Sequence, residues 1–215
     1  MPACHKQPQQ LLNVTTKPLR PSDVSRETLA RLDLFCSLLL KWNPRINLIS
    51  RTDEEHLRHR HVQDSLALVP LIPSGVSHAI DIGTGGGFPG LILAIATGLH
   101  FHLVESDQRK CAFLREAARL TVTTVTLHAC RIEEAKVPAA PLITARALAP
   151  LPRLLTWAVP HLANHGICVF PKGRTVDEEL AAAQADWNYT TERFTSPIDP
   201  SSTILRLSEI SRVGQ

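Results

Sequence analysis

Two carboxylates and a cluster of glycines are the residues of this chain whose types and spacing suit a shared chemistry. Asp81 stands just before Gly83, Gly85, Gly86 and Gly87, and Glu105 follows one strand-and-helix length later. Glycines in such a turn let backbone N–H groups approach a ligand closely and adopt positive φ. The turn opens onto the N-terminal end of a helix, where anions are favoured. Glu105, at the end of the next strand, is placed to accept hydrogen bonds from ribose hydroxyls. Gly85, Gly87 and Gly90 also satisfy G-x-G-x-x-G, so a dinucleotide stays open as an alternative, and an unliganded glycine-rich turn is the plainer one. Ribose is common to NAD and S-adenosylmethionine. Asp81 and the alternation of Gly83, Gly85 and Gly87 favour the methyl donor, because a carboxylate attracts the ammonium of its amino-acid tail. The sequence offers no Ser/His/Asp or Cys/His constellation, so no proton-transfer catalyst is assigned.

More residues converge on the same crevice if the strands are parallel, since ligands then sit at their carboxyl ends. After the third strand, Ile132 is placed to cover a purine face and Glu133 to accept a bond beside it. The plainer reading is the start of a helical turn. Arg146 ends the fourth strand, with an ion pair to Glu105 or Glu133 as its structural alternative. Lys172 and Arg174 flank a glycine after the fifth strand. His59 and His61 have a spacing that suggests metal, but on a helix they point about 200° apart, and no metal is expected.

The elements that position these residues are legible as periodicity. Ala79, Ile80 and Ile82 read as a buried strand, and residues 91–96 as a buried helix. From residue 78 strand and helix alternate, which indicates a parallel sheet with right-handed crossovers. Strands are expected near 78–82, 101–105, 124–128, 141–145 and 166–171, with a final pair at 189–194 and 203–207. Helices are expected near 89–97, 107–119 (capped by Asp107), 150–163 and 175–186. The fold class is α/β: a Rossmann-like sheet of seven mostly parallel strands with helices on both faces. Residues 74–215 form this domain. A helical extension precedes it over 22–73. Its first helix is capped by Ser22 or Asp23, buries Leu29, Leu32, Cys36 and Leu39, and stops before Pro44. A second runs over 53–69, with Arg60 and Asp64 paired four residues apart. Residues 1–21 read as a disordered arm, with an ordinary frayed terminus as the simpler description.

Composition narrows the classes. With 215 residues, 44% hydrophobic content and a net charge of +3, the chain suits one α/β domain with a small addition. Its mild basicity permits a nucleic-acid partner without demanding one. The five cysteines are scattered with no C-x-x-C, so reduced thiols are expected rather than a disulfide or zinc framework. No signal peptide or membrane span is apparent, and a cytoplasmic protein is expected.

The motifs in order resemble one family. Lys41-Trp42-Asn43 with Ile46-Asn47-Leu48, Arg60-His61 with Asp64-Ser65, residues 81–90, Arg109-Lys110 with Phe113-Leu114, residues 144–147 with Leu151, and Lys172-Gly173 are similar to the bacterial 16S ribosomal RNA guanine-N7 methyltransferases, the glucose-inhibited division protein B (RsmG) family. The resemblance runs from about residue 25 to 207. It implies a class I methyltransferase fold, S-adenosylmethionine as co-substrate without metal, and 16S ribosomal RNA or a small-subunit particle as partner, acted on by a monomer. It places Gly83, Phe88, Ile132, Glu133 and Arg146 at the donor. Lys41, Arg45, Arg146, Lys172 and Arg174 are then the candidates for holding phosphates or the guanine edge. Phe170-Pro171 departs from the family's usual small apolar residue and leucine, and the arm before residue 22 is longer than expected.

Overall fold

In a computed structural model, residues 12–13 and 24–214 are described. Helix α1 (Arg26–Ile46) is capped by Ser25, whose side chain accepts from the Thr28 N–H at 3.1 Å. The expected caps, Ser22 and Asp23, lie outside the described residues. Leu32, Cys36 and Leu39 are buried as their spacing requires, with Phe35 beside them, while Leu29 in the first turn is only half-buried. Pro44 does not stop the helix: it sits in the last turn, where its missing N–H forfeits a single bond. The stop comes at Asn47, which turns left-handed (φ 49) and donates its N–H to the Asn43 carbonyl.

Residues 53–69 do not form one helix. They break into a 3₁₀ turn (Arg51–Asp53), a π-helical turn (Arg58–Gln63), α2 (Asp64–Leu66) and a second 3₁₀ turn (Val69–Leu71). The π turn spoils the four-residue stacking that would join Arg60 to Asp64. Arg60 instead pairs with Asp53 at 2.8 Å, and Asp64 is left for distant partners.

All seven expected strands form: β2 (His78–Ile82), β3 (His100–Val104), β4 (Val125–His128), β5 (Ala140–Thr144), β6 (Leu162–Lys172), β7 (Trp187–Thr195) and β8 (Thr203–Arg212). Within residues 1–21, Leu12–Asn13 adds a two-residue β1 parallel to β7; the other residues of that stretch lie outside the described set. The order is β1-β7-β8-β6-β5-β2-β3-β4, parallel except for β8. The chain leaves β2 toward β3 on one side while β5 lies on the other. The carboxyl ends of β2 and β5 therefore flank a crevice.

Helices α3 (Gly90–Thr97) and α4 (Gln108–Leu120) share one core with α1, while α5 (Leu151–Ala158) and α6 (Val176–Ala183) pack in a second. Phe35 of α1 is fully buried, with its ring 5.5 Å from Phe88 and 6.0 Å from Phe113. Burying one such ring contributes about 1.5–3 kcal/mol. Asp107 caps α4 as its position predicts, accepting from the Arg109 and Lys110 N–H groups. No helix among the described residues is long and apolar enough to cross a membrane.

Arg31 ties α1 to the far end of α4, donating to the carbonyls of Thr121 (2.6 Å) and Val122 (3.2 Å). Val122 is 84% exposed and held at φ 47. A β-branched residue in that region is strained and here has no packing to lose. Val122→Gly is therefore expected to raise stability by about 0.5–1 kcal/mol, the strain relieved less glycine's entropy cost. A denaturant midpoint that stays put or falls would show that the strain is absorbed elsewhere.

Candidate active site

The turn after β2 is fastened to the end of β3. Gly83 N–H and Thr84 N–H donate to the Val104 carbonyl at 2.9 and 3.2 Å. Gly83 has φ 65, and a Cβ there would stand 2.6 Å from Leu148 Cδ1. Glu105 braces the turn from the side. One of its oxygens accepts from Gly85 N–H at 2.9 Å and the other from Asp107 N–H at 2.8 Å. Each oxygen keeps a second lone pair, and the carboxylate lines a cleft of about 1030 Å³.

Asp81 belongs to a different part of the architecture. Side chains alternate along a strand, so Ile82 lines the cleft and Asp81 points to the opposite face. It is fully buried and accepts from Gly90 N–H at 3.0 Å and the Thr144 hydroxyl at 2.6 Å. Burial pushes its carboxyl up to about 6, against the pull of these bonds. Asp81 thus joins β2, β5 and the start of α3 beneath the turn, and does not itself face a ligand. Gly90 is dictated by this packing, since a Cβ would lie 2.4 Å from Asp81 Cβ.

The cleft holds most of the other expected donor residues. Gly83, Gly85, Phe88, Glu105, Ile132, Glu133 and Arg146 all line it, with Ile132 buried and Glu133 exposed. Leu48, Ile49, His61, Leu148 and Trp157 line it too, and periodicity gave no sign of them. Asn43 explains the first two. It is 2% exposed, and its side-chain amide oxygen Oδ1 accepts from Leu48 N–H (2.7 Å) and Ile49 N–H (2.9 Å), folding that loop into a wall. The readable signal was a pair of asparagines four residues apart, Asn43 and Asn47.

Arg146 stands where this cleft meets a second one of about 1070 Å³. Its guanidinium lies 4.9 Å above the Phe88 ring, 3.4 Å from Asp64 Oδ2 and 2.7 Å from His61 Nδ1. The alternative for Arg146, an ion pair with Glu105 or Glu133, does not form; its carboxylate partner is Asp64. Burial, then the charge of Arg146, holds His61 down to about 4, so its neutral Nδ1 accepts from Arg146. The ring proton then sits on Nε2, which is buried without a hydrogen bond and stands 3.5 Å from Asp53 Oδ2.

The expected cations separate into two groups. Lys172 reaches the rim of the second cleft but turns inward, 2.7 Å from Glu179 and 2.8 Å from the Ala149 carbonyl. It is 8% exposed and fixes the loop that follows β5. Lys41, Arg45 and Arg174 are exposed and line neither cleft.

Glu105 gives a direct test. Glu105→Ala is expected to weaken binding of S-adenosylmethionine by roughly 1.5–3 kcal/mol, the range for bonds to a charged group. Calorimetry measures it, and an unchanged affinity would reduce Glu105 to a brace for the glycine turn.

Comparison with known proteins gives the family. The profile of the GidB family, described as rRNA small subunit methyltransferase G, matches residues 28–197. The chain is 53% identical over 192 residues to ribosomal RNA small subunit methyltransferase G of Granulibacter bethesdensis, covering 89% of this chain and 90% of that one. It is 52% identical to the protein of that name from Paramagnetospirillum magneticum, covering 90% and 95%. Among solved structures, an O-methyltransferase of Bacillus cereus shares the fold with a TM-score of 0.53 at 16% identity, over 86% of this chain and 91% of that one. By sequence along most of its length, the chain belongs to the rRNA small subunit methyltransferase G family.

Proposed function

We propose that this protein transfers the methyl group of S-adenosylmethionine to N7 of a guanine in 16S ribosomal RNA. The observation that carries the reading is the meeting of two clefts at Arg146, one of them ending on Glu105. The donor fits the first cleft. Glu105 offers its remaining lone pairs to the ribose, Ile132 an apolar face to the adenine, and the space at Gly83 is one that a side chain would fill. The second cleft receives the base. Family membership and the relatives' names support ribosomal RNA as the substrate, and a nicotinamide reading has no comparable support.

S-adenosylmethionine supplies a methyl group on a positively charged sulfur. Guanine N7 has an in-plane lone pair, so the N–C bond forms as the C–S bond breaks, the sulfur leaves as a neutral thioether, and N7 loses no proton. The residues need only align the partners. Phe88 and His61 hold the Arg146 fork flat, and Asp64 fixes one end of it, leaving donors to face the guanine edge. Positioning of this kind is worth about 7–11 kcal/mol of barrier. Extruding the base from its stack costs a few kcal/mol, and Lys41, Arg45 and Arg174 extend the basic surface that the RNA backbone meets. Lys172 supports the acceptor cleft from within. Both clefts built by one chain support a monomeric enzyme, and a ribosomal RNA substrate supports a cytoplasmic one.

The test is transfer of labelled methyl from the donor to small-subunit RNA from cells lacking the modification, as free RNA and as assembled particle, followed by mapping. Label on N7 of one guanine is the expected result. Donor binding without transfer to either substrate would leave an RNA-binding protein, and label at another atom would overturn the acceptor.

A further inference from the structure

The loop between β7 and β8 forms one wall of the second cleft, with Ile198, Asp199, Pro200 and Ser202 all lining it. It is stitched to itself. Ser196 N–H donates to the Ser202 carbonyl at 2.9 Å, and Ser202 N–H to the Asp199 carbonyl at 2.8 Å. The Asp199 carboxylate accepts from Ser201 N–H at 2.9 Å and from the hydroxyls of Ser201 and Ser202 at 2.7 and 2.9 Å. Ser196 opens the loop directly after β7 and is 2% exposed.

The Ser196 hydroxyl has no spare capacity. Its oxygen accepts from Ile198 N–H at 3.2 Å and Asp199 N–H at 3.3 Å, which occupies both lone pairs. Its single proton goes to Asp64 Oδ1 at 3.2 Å, since an ionised carboxylate only accepts. The other oxygen, Asp64 Oδ2, faces Arg146 Nη1 at 3.4 Å, near the outer limit of a hydrogen bond. Arg146 by itself therefore holds Asp64 loosely. The backbone beneath adds little, because α2 is a three-residue helix entered from a π turn, too short to be rigid alone. Ser196 is the second anchor that fixes the Asp64 side chain. Beside His61 and Phe88, it thereby sets the attitude of the Arg146 fork.

We propose that Ser196 is a positioning residue for the methyl transfer, holding Arg146 through Asp64 where the fork meets the guanine edge. The loop that walls the acceptor cleft and the group between the two clefts then move as one unit. Ser196 lines the second cleft and not the first, so it bears on alignment of the base rather than on holding the donor. It transfers no proton in the reaction. The role rests on the function proposed above and adds to it a residue remote from the glycine turn.

The experiment measures kcat for methyl transfer to unmodified small-subunit RNA, donor affinity by calorimetry, and the Arg146 guanidinium signal by NMR. Ser196→Ala should lower kcat at least roughly tenfold, the scale of one hydrogen bond to a charged group, with the donor Kd unchanged. Adding Asp64→Asn to Ser196→Ala should cost no more than the worse single variant, because both cut the same chain. Ser201→Ala loosens the loop without touching Asp64 and lines neither cleft, so it should keep kcat. Ser196→Asp keeps an acceptor for the two loop N–H groups but withdraws the proton, and it carries the test if Ser196→Ala does not fold. The NMR signal needs neither donor nor RNA and should broaden or shift in either Ser196 variant. A wild type that transfers no methyl would sink the proposed function, while the signal still decides whether Ser196 places Arg146. Wild-type kcat in a folded Ser196 variant, an unmoved Arg146 signal, losses that multiply in the double variant, or an equal loss in Ser201→Ala would each overturn the role.

Discussion

Gly83→Val is expected to leave a folded protein that no longer binds S-adenosylmethionine. The backbone at Gly83 has φ 65, in the left-handed region where a β-branched residue is strained by at least about 1–2 kcal/mol. A Cβ would first meet the Leu148 side chain, at 2.6 Å from Cδ1. Leu148 is 36% exposed and can turn away, so this clash does not prevent folding. Leu148 lines both clefts and has room to turn. The valine methyls themselves then occupy the place proposed for the donor. Circular dichroism establishes the fold and calorimetry the binding. Gly83→Ala should fall between the two, with less added volume at the same φ. Wild-type affinity in a folded Gly83→Val would mean that the donor lies elsewhere.

Arg146→Ala is expected to be the most damaging single change to activity, because one side chain serves both clefts. Its loss leaves Asp64 with only the Ser196 hydroxyl at 3.2 Å and exposes His61 Nδ1 without a donor. Breaking a buried pair by removing one partner costs about 3–5 kcal/mol. The Arg146–Asp64 separation of 3.4 Å, with both side chains 16% exposed, argues for the lower end. Affinity for the donor and for RNA should fall together, and turnover should drop more than either if the fork aligns the base. Arg146→Lys separates the contributions: it keeps the charge near Asp64 but loses the flat stack on Phe88 and the fork. A lysine variant with full turnover would show that charge alone suffices. An alanine variant that loses RNA binding but keeps the donor would move Arg146 wholly to the acceptor side.

How far the sequence could be read depended on whether a residue's role was local. The strands from β2 to β6 were legible because each carries apolar residues at strand spacing between helical stretches, and Asp107 was legible as a cap from its place ahead of α4. Glu105, Ile132, Glu133 and Arg146 could be placed because a parallel sheet sends its carboxyl ends to one crevice. Asp81 was misdirected, although the alternation needed to place it was present: the isoleucine beside it takes the cleft-facing position. Lys172 was placed at the correct rim, but its bond to Glu179 joins β6 to α6 and depends on tertiary packing. The helix expected over 53–69 failed for a related reason. Its polar residues are committed to Arg146, Ser196 and Asn43, and these long-range bonds outweigh regular helical spacing. His61 and Leu148 carried no periodic signal at all, since one lies in a π turn and the other follows a left-handed alanine (Ala147, φ 50).

The burial of Phe35 against Phe88 bears on how this protein can change over evolutionary time. Phe88 is at once a wall of the cleft proposed for the donor and part of the core that α1 completes. The N-terminal helix is therefore not a detachable accessory that a generic methyltransferase domain could exchange for another module. Cutting the chain after α1 would present a wet face to the underside of the glycine turn, and grafting a foreign helix would require it to supply an aromatic ring at the same depth. Substitutions at residue 35 should thus be tolerated only in company with changes at 88 and 113, so that the floor of the cleft and the N-terminal helix drift as one inherited unit.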